Sequence, residues 1–322
     1  MNSIDNYGQV NNYDGIVKNI RMIGCALSIG TSVIVQFLYW FFKDNHNFTM
    51  SKIATLSLAN AMFSLSLILP YNNQIDLICQ IQSFLINTFQ LTQYFASCVL
   101  CYCTFISIIK KNHLEKHKTF YRIFFFLIEM GLPISLSSIV LYTKSYGDSG
   151  GYCWLDVNSN LKRIFIQKLS LNIFACLWFL LLLNIFFIVK IHVIIKKNKN
   201  TNKELYNHLL IYPIIMVVTA SPGTVYRVNG LVNKQQFNEY WKIAMVFCES
   251  FCGVIVNVVF VASPWVRQTI INACYNFRYQ RGGIKEDGNY IDTNYDSVDT
   301  NLFNSEEEEE EGEEEEQIEN NN

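Results

Sequence analysis

The sequence predicts an all-α fold: a seven-transmembrane helix bundle with a short amphipathic helix after the last span and a disordered acidic tail. Three observations predict it. The 322 residues are 51% hydrophobic and only 16% charged, and mean hydropathy is positive at +0.17. Apolar stretches of about 20 residues, enough to cross the roughly 30 Å hydrocarbon core of a bilayer, recur along the chain. The links between them alternate between rich and poor in Lys and Arg.

Residues 1–19 are polar and read as a short extracellular N-terminus. They lack a basic start and a small-residue cleavage site, so no cleavable signal is expected and the first apolar stretch stays as a span. The seven-helix bundle covers residues 20–263, with spans at about 20–42, 52–69, 83–109, 123–143, 164–189, 205–226 and 241–263. The second and sixth are the least apolar. The sixth carries His208, Pro213, Pro222 and Gly223. Proline is tolerated in membrane helices because neighbours re-satisfy the freed carbonyl. It also removes a helix hydrogen bond and kinks the rod, so Pro222 and Gly223 form a candidate hinge.

The links set the orientation. Lys43 and Lys52 flank the first, Lys110, Lys111, Lys116, Lys118 and Arg122 the third, and Lys190, Lys196, Lys197, Lys199 and Lys203 the fifth. The alternate links are poorer, with no Lys or Arg in 70–82. The positive-inside rule puts the richer set in the cytoplasm, the N-terminus outside and the C-terminus inside. The expected location is the plasma membrane. Asn47-Phe48-Thr49 matches a glycosylation sequon but falls on the cytoplasmic side, where it stays unmodified.

Residues 264–282 place Trp265, Val266, Ile270, Ile271, Tyr275 and Phe277 among Arg267 and Arg278 at helical spacing. That pattern predicts an amphipathic helix on the inner membrane surface. Cys274 within it is a lipidation candidate. Residues 283–322 form the tail. Sixteen of the 27 acidic residues lie from Glu286 onward, with no Lys or Arg among them, so a basic body is joined to an acidic end. Such a tail cannot bury enough apolar area to fold alone. Ser297, Thr300 and Ser305 are its phosphorylation candidates.

Most of the ten Cys lie inside spans and read as small apolar side chains. Cys79, at the outer start of the third span, and Cys153, in the longest outer loop, face an oxidising compartment where disulfides persist. A Cys79–Cys153 bridge is expected. Glu129, Lys168 and Glu249 lie within the fourth, fifth and seventh spans, where ionisable groups are costly and mark functional sites. A Lys168–Glu249 pair is one arrangement available to them. Arg227 closes the sixth span on the outer side. With Arg163 and Lys168 it predicts a cationic outer mouth suited to an anionic ligand.

Enzyme signatures are missing. No G-x-S-x-G, Walker or H-E-x-x-H string occurs, and the five His lack metal-ligand spacing, so neither a cofactor nor a metal is expected. No aromatic and basic surface pattern of the nucleic-acid type is present. A transporter or channel for a small solute is the alternative class. Such folds use internal repeats, and none is visible between the halves here. A retinal-binding protein needs a Lys deep in the last span, whereas Lys242 lies at its outer edge.

Several strings resemble one family. Arg227-Val228-Asn229-Gly230-Leu231 resembles the R-x-V-N-G-L segment of the cyclic-AMP receptors of social amoebae, the class E G-protein-coupled receptors. Gly151-Tyr152-Cys153-Trp154 resembles their G-x-W/Y-C-W, and Gly131-Leu132-Pro133 their G-L-P. Asn45-His46 with Ser51-Lys52, and Pro264-Trp265-x-Arg267, also fit, and the resemblance runs over residues 20–280. It implies a receptor that senses an extracellular ligand, cAMP or another small anionic molecule, and activates a heterotrimeric G protein. The candidate ligand-binding set is Arg163, Lys168, Arg227, Asn229 and Glu249, of which Arg163 and Arg227 stand at positions matching the family's. Ser64-Leu65 stand where the family has Lys-Asp, and the tail is short and Glu-rich. These departures place the resemblance with the receptor-like branch.

Overall fold

A backbone in hydrocarbon must satisfy its own N–H and C=O groups, which for long apolar segments means helix. A computed structural model of the chain follows that rule. It describes residues 4–41, 48–69, 76–109, 117–143, 146–148, 153–155, 163–197, 203–233, 239–263, 266–267 and 270–271. The helices are α1 (Ile4–Phe41), α2 (Phe48–Ile68), α3 (Asp76–Ile109), α4, α5 (Arg163–Lys197), α6 (Lys203–Asn233) and α7 (Glu239–Ala262). Helix α4 has three parts: α-helical Lys118–Phe126, π-helical Leu127–Gly131 and α-helical Leu132–Tyr142. Between α4 and α5 lies a hairpin of β1 (Tyr146–Asp148) and β2 (Cys153–Leu155).

Six helices are long and apolar enough to cross a membrane, with apolar segments Gly15–Phe41, Met50–Ile68, Leu77–Ile109, Thr119–Tyr142, Ala175–Lys196 and Tyr240–Ala262 among the described residues. In α6 the described apolar stretch is shorter, Leu209–Val225. The chain therefore has the architecture of a multi-pass helical membrane bundle.

Packing order follows from the contacts. Helix α1 packs on α2 and α7, α6 on α7, and α5 on α6. Helix α3 touches α2, α4, α5, α6 and both strands, so it runs through the middle. The apolar segments of α2 and α3 are 61% buried, against 28% for α1, α4 and α5, which turn most of their surface outward. Phe37, Trp40, Phe126, Phe179 and Leu182 are exposed on those outer faces. An apolar surface this extensive suits lipid and not water. Inside, Leu56, Leu91, Leu100, Tyr212, Met216 and Val256 join α2, α3, α6 and α7 in one core.

Helices α1 and α7 approach closely through residues without side chains. A Cβ on Gly24 would lie 2.6 Å from Ser250 Cβ and 2.8 Å from the Phe251 ring. A Cβ on Gly253 would overlap Ser28 Oγ and lie 3.1 Å from Asn60 Cβ. Small residues let membrane helices pack this tightly, where dispersion replaces the hydrophobic effect as the driving force.

Three features differ from the sequence-based expectation. The first helix begins at Ile4, well before the span expected from residue 20. Residues 4–19 contain no Pro, so a helix nucleated in the apolar run can propagate through them despite Gly8 and Gly15. The link between α4 and α5 carries a hairpin, so the fold is not purely helical. The fourth span holds a π segment, and its cause is Pro133. This residue has no N–H for the carbonyl of Glu129, four residues back, and its ring crowds that carbonyl. The chain widens just before it: Leu132 N–H donates to Leu127 O, five residues back.

After α7, Arg267 N–H donates to Ser263 O at 3.0 Å, and Val266 is buried against the core. Ile270 and Ile271 are also helical, and the remaining residues of the expected amphipathic helix and the acidic tail lie outside the described residues. So do Cys274, Ser297, Thr300 and Ser305.

Candidate functional site

Three groups of contacts organise the bundle interior. The first closes the end of the bundle where α3 begins. In the hairpin, Tyr146 pairs with Leu155, Gly147 with Trp154 and Asp148 with Cys153. Cys79 at the start of α3 and Cys153 form the expected disulfide. The Cys153 N–H donates to Gln82 Oε1 at 3.4 Å, while Gln82 Nε2 donates to Leu69 O at 3.0 Å and Ser66 O at 3.3 Å. Gln82 thus joins the end of α2 to the hairpin through α3. Tyr146 reaches inward. Its hydroxyl donates to Ser137 O at 3.2 Å on α4 and accepts from Asn87 Nδ2 at 3.4 Å on α3. Burial pushes the Tyr146 phenol above its ordinary value, so it stays a neutral donor. Tyr146→Phe removes the bond to Ser137 O and leaves Asn87 one acceptor short. We expect a loss of about 1 kcal/mol, read as a lower melting temperature of the purified protein.

The second group lies deeper, between α1, α6 and α7. Glu249 Oε1 sits 3.3 Å from where a Cβ of Gly223 would be, and Met245 Cγ sits 3.5 Å from it. The carboxylate therefore rests against the α6 backbone at the candidate hinge. Cys25 on α1 lies beside Ser64 on α2 and Ser250 on α7, with Arg21 one turn before it on α1. Arg21 was not among the residues singled out from sequence. Its place at the polar start of the first apolar run reads as ordinary headgroup anchoring.

The third group is a buried ion pair. Lys52 Nζ on α2 lies 3.0 Å from Glu129 Oε2 in the π segment of α4, with the two side chains 5% and 1% exposed. The ammonium also lies 5.3 Å from the centre of the Phe125 ring, a cation–π distance. Glu129 Oε1 is enclosed without a hydrogen-bond partner. This corrects the expectation that Lys52 belongs to the cytoplasmic loop cations, because it is drawn into the bundle. The signal was available in the sequence. An in-span carboxylate needs a cation, and Lys52 stands one turn inside an apolar helix at the same end of the bundle.

The expected ligand set divides as follows. Arg163 and Lys168 lie on the first turns of α5, and Arg227 and Asn229 near the last turns of α6. Those helix ends and the hairpin share one end of the bundle. The side chains of these four residues lie outside the described residues, and with them the Lys168–Glu249 pairing. Pro222 and Gly223 both lie within α6, which continues as helix through Pro213 and Pro222. Among the described residues, no group of three or more His, Cys, Asp or Glu is placed to hold a metal ion.

Compared with known families and with characterised proteins, the chain gives no significant match to either.

Proposed function

We propose that the chain is a G-protein-coupled receptor of the cyclic-AMP receptor-like type, with seven spans, its N-terminus outside and its C-terminus in the cytoplasm of the plasma-membrane-bounded cell. The observation that carries this reading is the order and spacing of the motifs over residues 20–280, from Asn45-His46 through Gly151-Tyr152-Cys153-Trp154 to Pro264-Trp265-x-Arg267. Helix α6 supplies the seventh span. Its 31 residues reach well beyond about 30 Å at 1.5 Å per residue, and it packs against α5 and α7.

A small anionic ligand binds at the hairpin end, where the sequence places Arg163, Lys168, Arg227 and Asn229 on α5 and α6. Glu249 lies beneath, against Gly223. The ligand acts by preferring one arrangement of α6 over another, since equal affinity for both would shift nothing. The inner part of α6 moves about Pro222 and Gly223, and a heterotrimeric G protein engages the basic inner links.

Two variants test the parts of this reading. Arg227→Ala is expected to weaken cyclic-nucleotide binding at least tenfold, the loss of about 1.4 kcal/mol or more that a charge-assisted hydrogen bond represents. Pro222→Ala is expected to reduce ligand-stimulated G-protein activation with binding retained. Unchanged activation at normal surface expression would remove the hinge.

A further inference from the structure

Serine and threonine in a helix usually return the hydroxyl proton to the carbonyl one turn back. Several in this bundle do so. Thr55, Ser66, Ser83, Thr92, Thr104 and Ser107 donate to Ser51, Met62, Cys79, Thr88, Leu100 and Cys103 at 2.7–3.0 Å. The seam where α1, α2 and α7 meet gathers several polar groups that make no such bond. Ser28 Oγ on α1 and Ser57 Oγ on α2 are enclosed with no partner in the protein, and so are Asn60 Oδ1 on α2 and Asn257 Oδ1 on α7.

These four groups lie on two adjoining levels. Ser28 and Asn60 meet over Gly253, whose missing side chain admits the Ser28 hydroxyl. One turn nearer the α1–α2 link, Asn257 Nδ2 donates to Ser32 Oγ at 2.8 Å and to Thr31 Oγ1 at 3.1 Å, leaving its Oδ1 over. Asn60 Nδ2 donates to Leu56 O at 3.0 Å, which leaves its own Oδ1 over in the same way. Ser57 stands three residues before Asn60 on α2, about one turn nearer the α1–α2 link.

We propose that this seam binds ordered water between Ser28, Ser57, Asn60 and Asn257. The chemistry of the four groups selects the occupant. The serine hydroxyls bring protons that need acceptors, while the asparagine oxygens need donors. Water is both. A monovalent cation would satisfy only the oxygen lone pairs, and none of the four groups carries a negative charge to offset its dehydration. A dry seam would leave four enclosed polar groups unpaired near mid-bilayer, where no solvent reaches them. Bound water also exchanges partners easily, so α7 can shift against α1 and α2 without stranding a polar group.

The test uses the purified full chain in detergent. Ser28→Ala and Ser57→Ala each take a partner from the water and are expected to lower the melting temperature by about 2–4 °C. Ser135→Ala, which removes an exposed hydroxyl bonded within α4, is the reference and is expected to change it little. Radiolytic hydroxyl labelling supplies the second readout. Cys25, fully enclosed and one turn from Ser28, is expected to be labelled by the bound water, and less so in Ser28→Ala. Buried Cys101 in the apolar core is the unlabelled reference. Alanine variants as stable as the parent, or Cys25 labelled no more than Cys101, overturn the proposal. A melting temperature that rises when sodium replaces choline, and no longer does so in Asn60→Leu, overturns it in favour of a cation.

Discussion

Lys52→Met is expected to be among the most damaging single substitutions in the bundle. It leaves the Glu129 carboxylate 1% exposed with no cation beside it. Breaking a buried pair in this way costs about 3–5 kcal/mol, much of a typical total of roughly 5–15. Protonation of the stranded carboxyl limits the loss but does not remove it, because the neutral acid still lacks the bond it made to Nζ. The complementary expectation is more informative. Lys52→Met combined with Glu129→Leu removes both charges and is expected to recover most of the stability, since two apolar side chains replace a pair whose desolvation offsets its attraction. Glu129→Gln belongs in between, keeping an acceptor for the ammonium. The measurement is thermal unfolding of the purified protein, with surface expression in cells beside it. A double variant less stable than Lys52→Met by the full cost of Glu129→Leu alone would mean that the two residues act independently.

The second large effect is expected at the disulfide. Cys79 and Cys153 are 74 residues apart, and closing a loop of that length is worth about 4 kcal/mol in the chain-entropy model. The realised value is smaller where the unfolded chain keeps its helices and is already restrained. Cys153→Ser is expected to lower the melting temperature and to loosen the contacts that follow the bridge, Gln82 to the Cys153 N–H and Tyr146 to Ser137. Cys79→Ser combined with Cys153→Ser should match either single variant, since one bond is lost in each. Ligand affinity should fall with the hairpin out of place. A Cys153→Ser protein with the parent's melting temperature under oxidising conditions would contradict the bridge.

Much of the fold was legible from hydropathy and charge. The span expected at residues 205–226 lies within Lys203–Asn233, and that at 241–263 nearly coincides with Glu239–Ala262. Membrane helices are readable because hydrocarbon demands one long apolar run for each. The disulfide was legible for a related reason. Once the orientation was chosen, Cys79 and Cys153 were the cysteines set apart at the outer end.

What escaped depends on contacts across helices. Hydropathy alone makes Lys52 a loop cation because it scores a residue without its neighbour, and the pairing with Glu129 is fixed only once α4 is placed beside α2. The π segment follows from Pro133, yet the sequence says only that a hydrogen bond is missing there, not how the chain recovers it. Tyr146 looks like any loop aromatic, and its anchoring role appears only once Asn87 and Ser137 converge on it. The α1–α2–α7 seam was hidden for the opposite reason. Ser28, Ser57, Asn60 and Asn257 are spread over three spans as single mild polar residues, and only packing brings them together.

The most direct measurement is G-protein activation in membranes from cells expressing the intact chain, titrated with cyclic nucleotides, with uptake of the same compounds measured in parallel. The receptor reading predicts saturable, nucleotide-dependent activation, reduced by Arg227→Ala at equal surface expression, with no uptake above control cells. Nucleotide accumulation without activation would contradict it and point to a transporter.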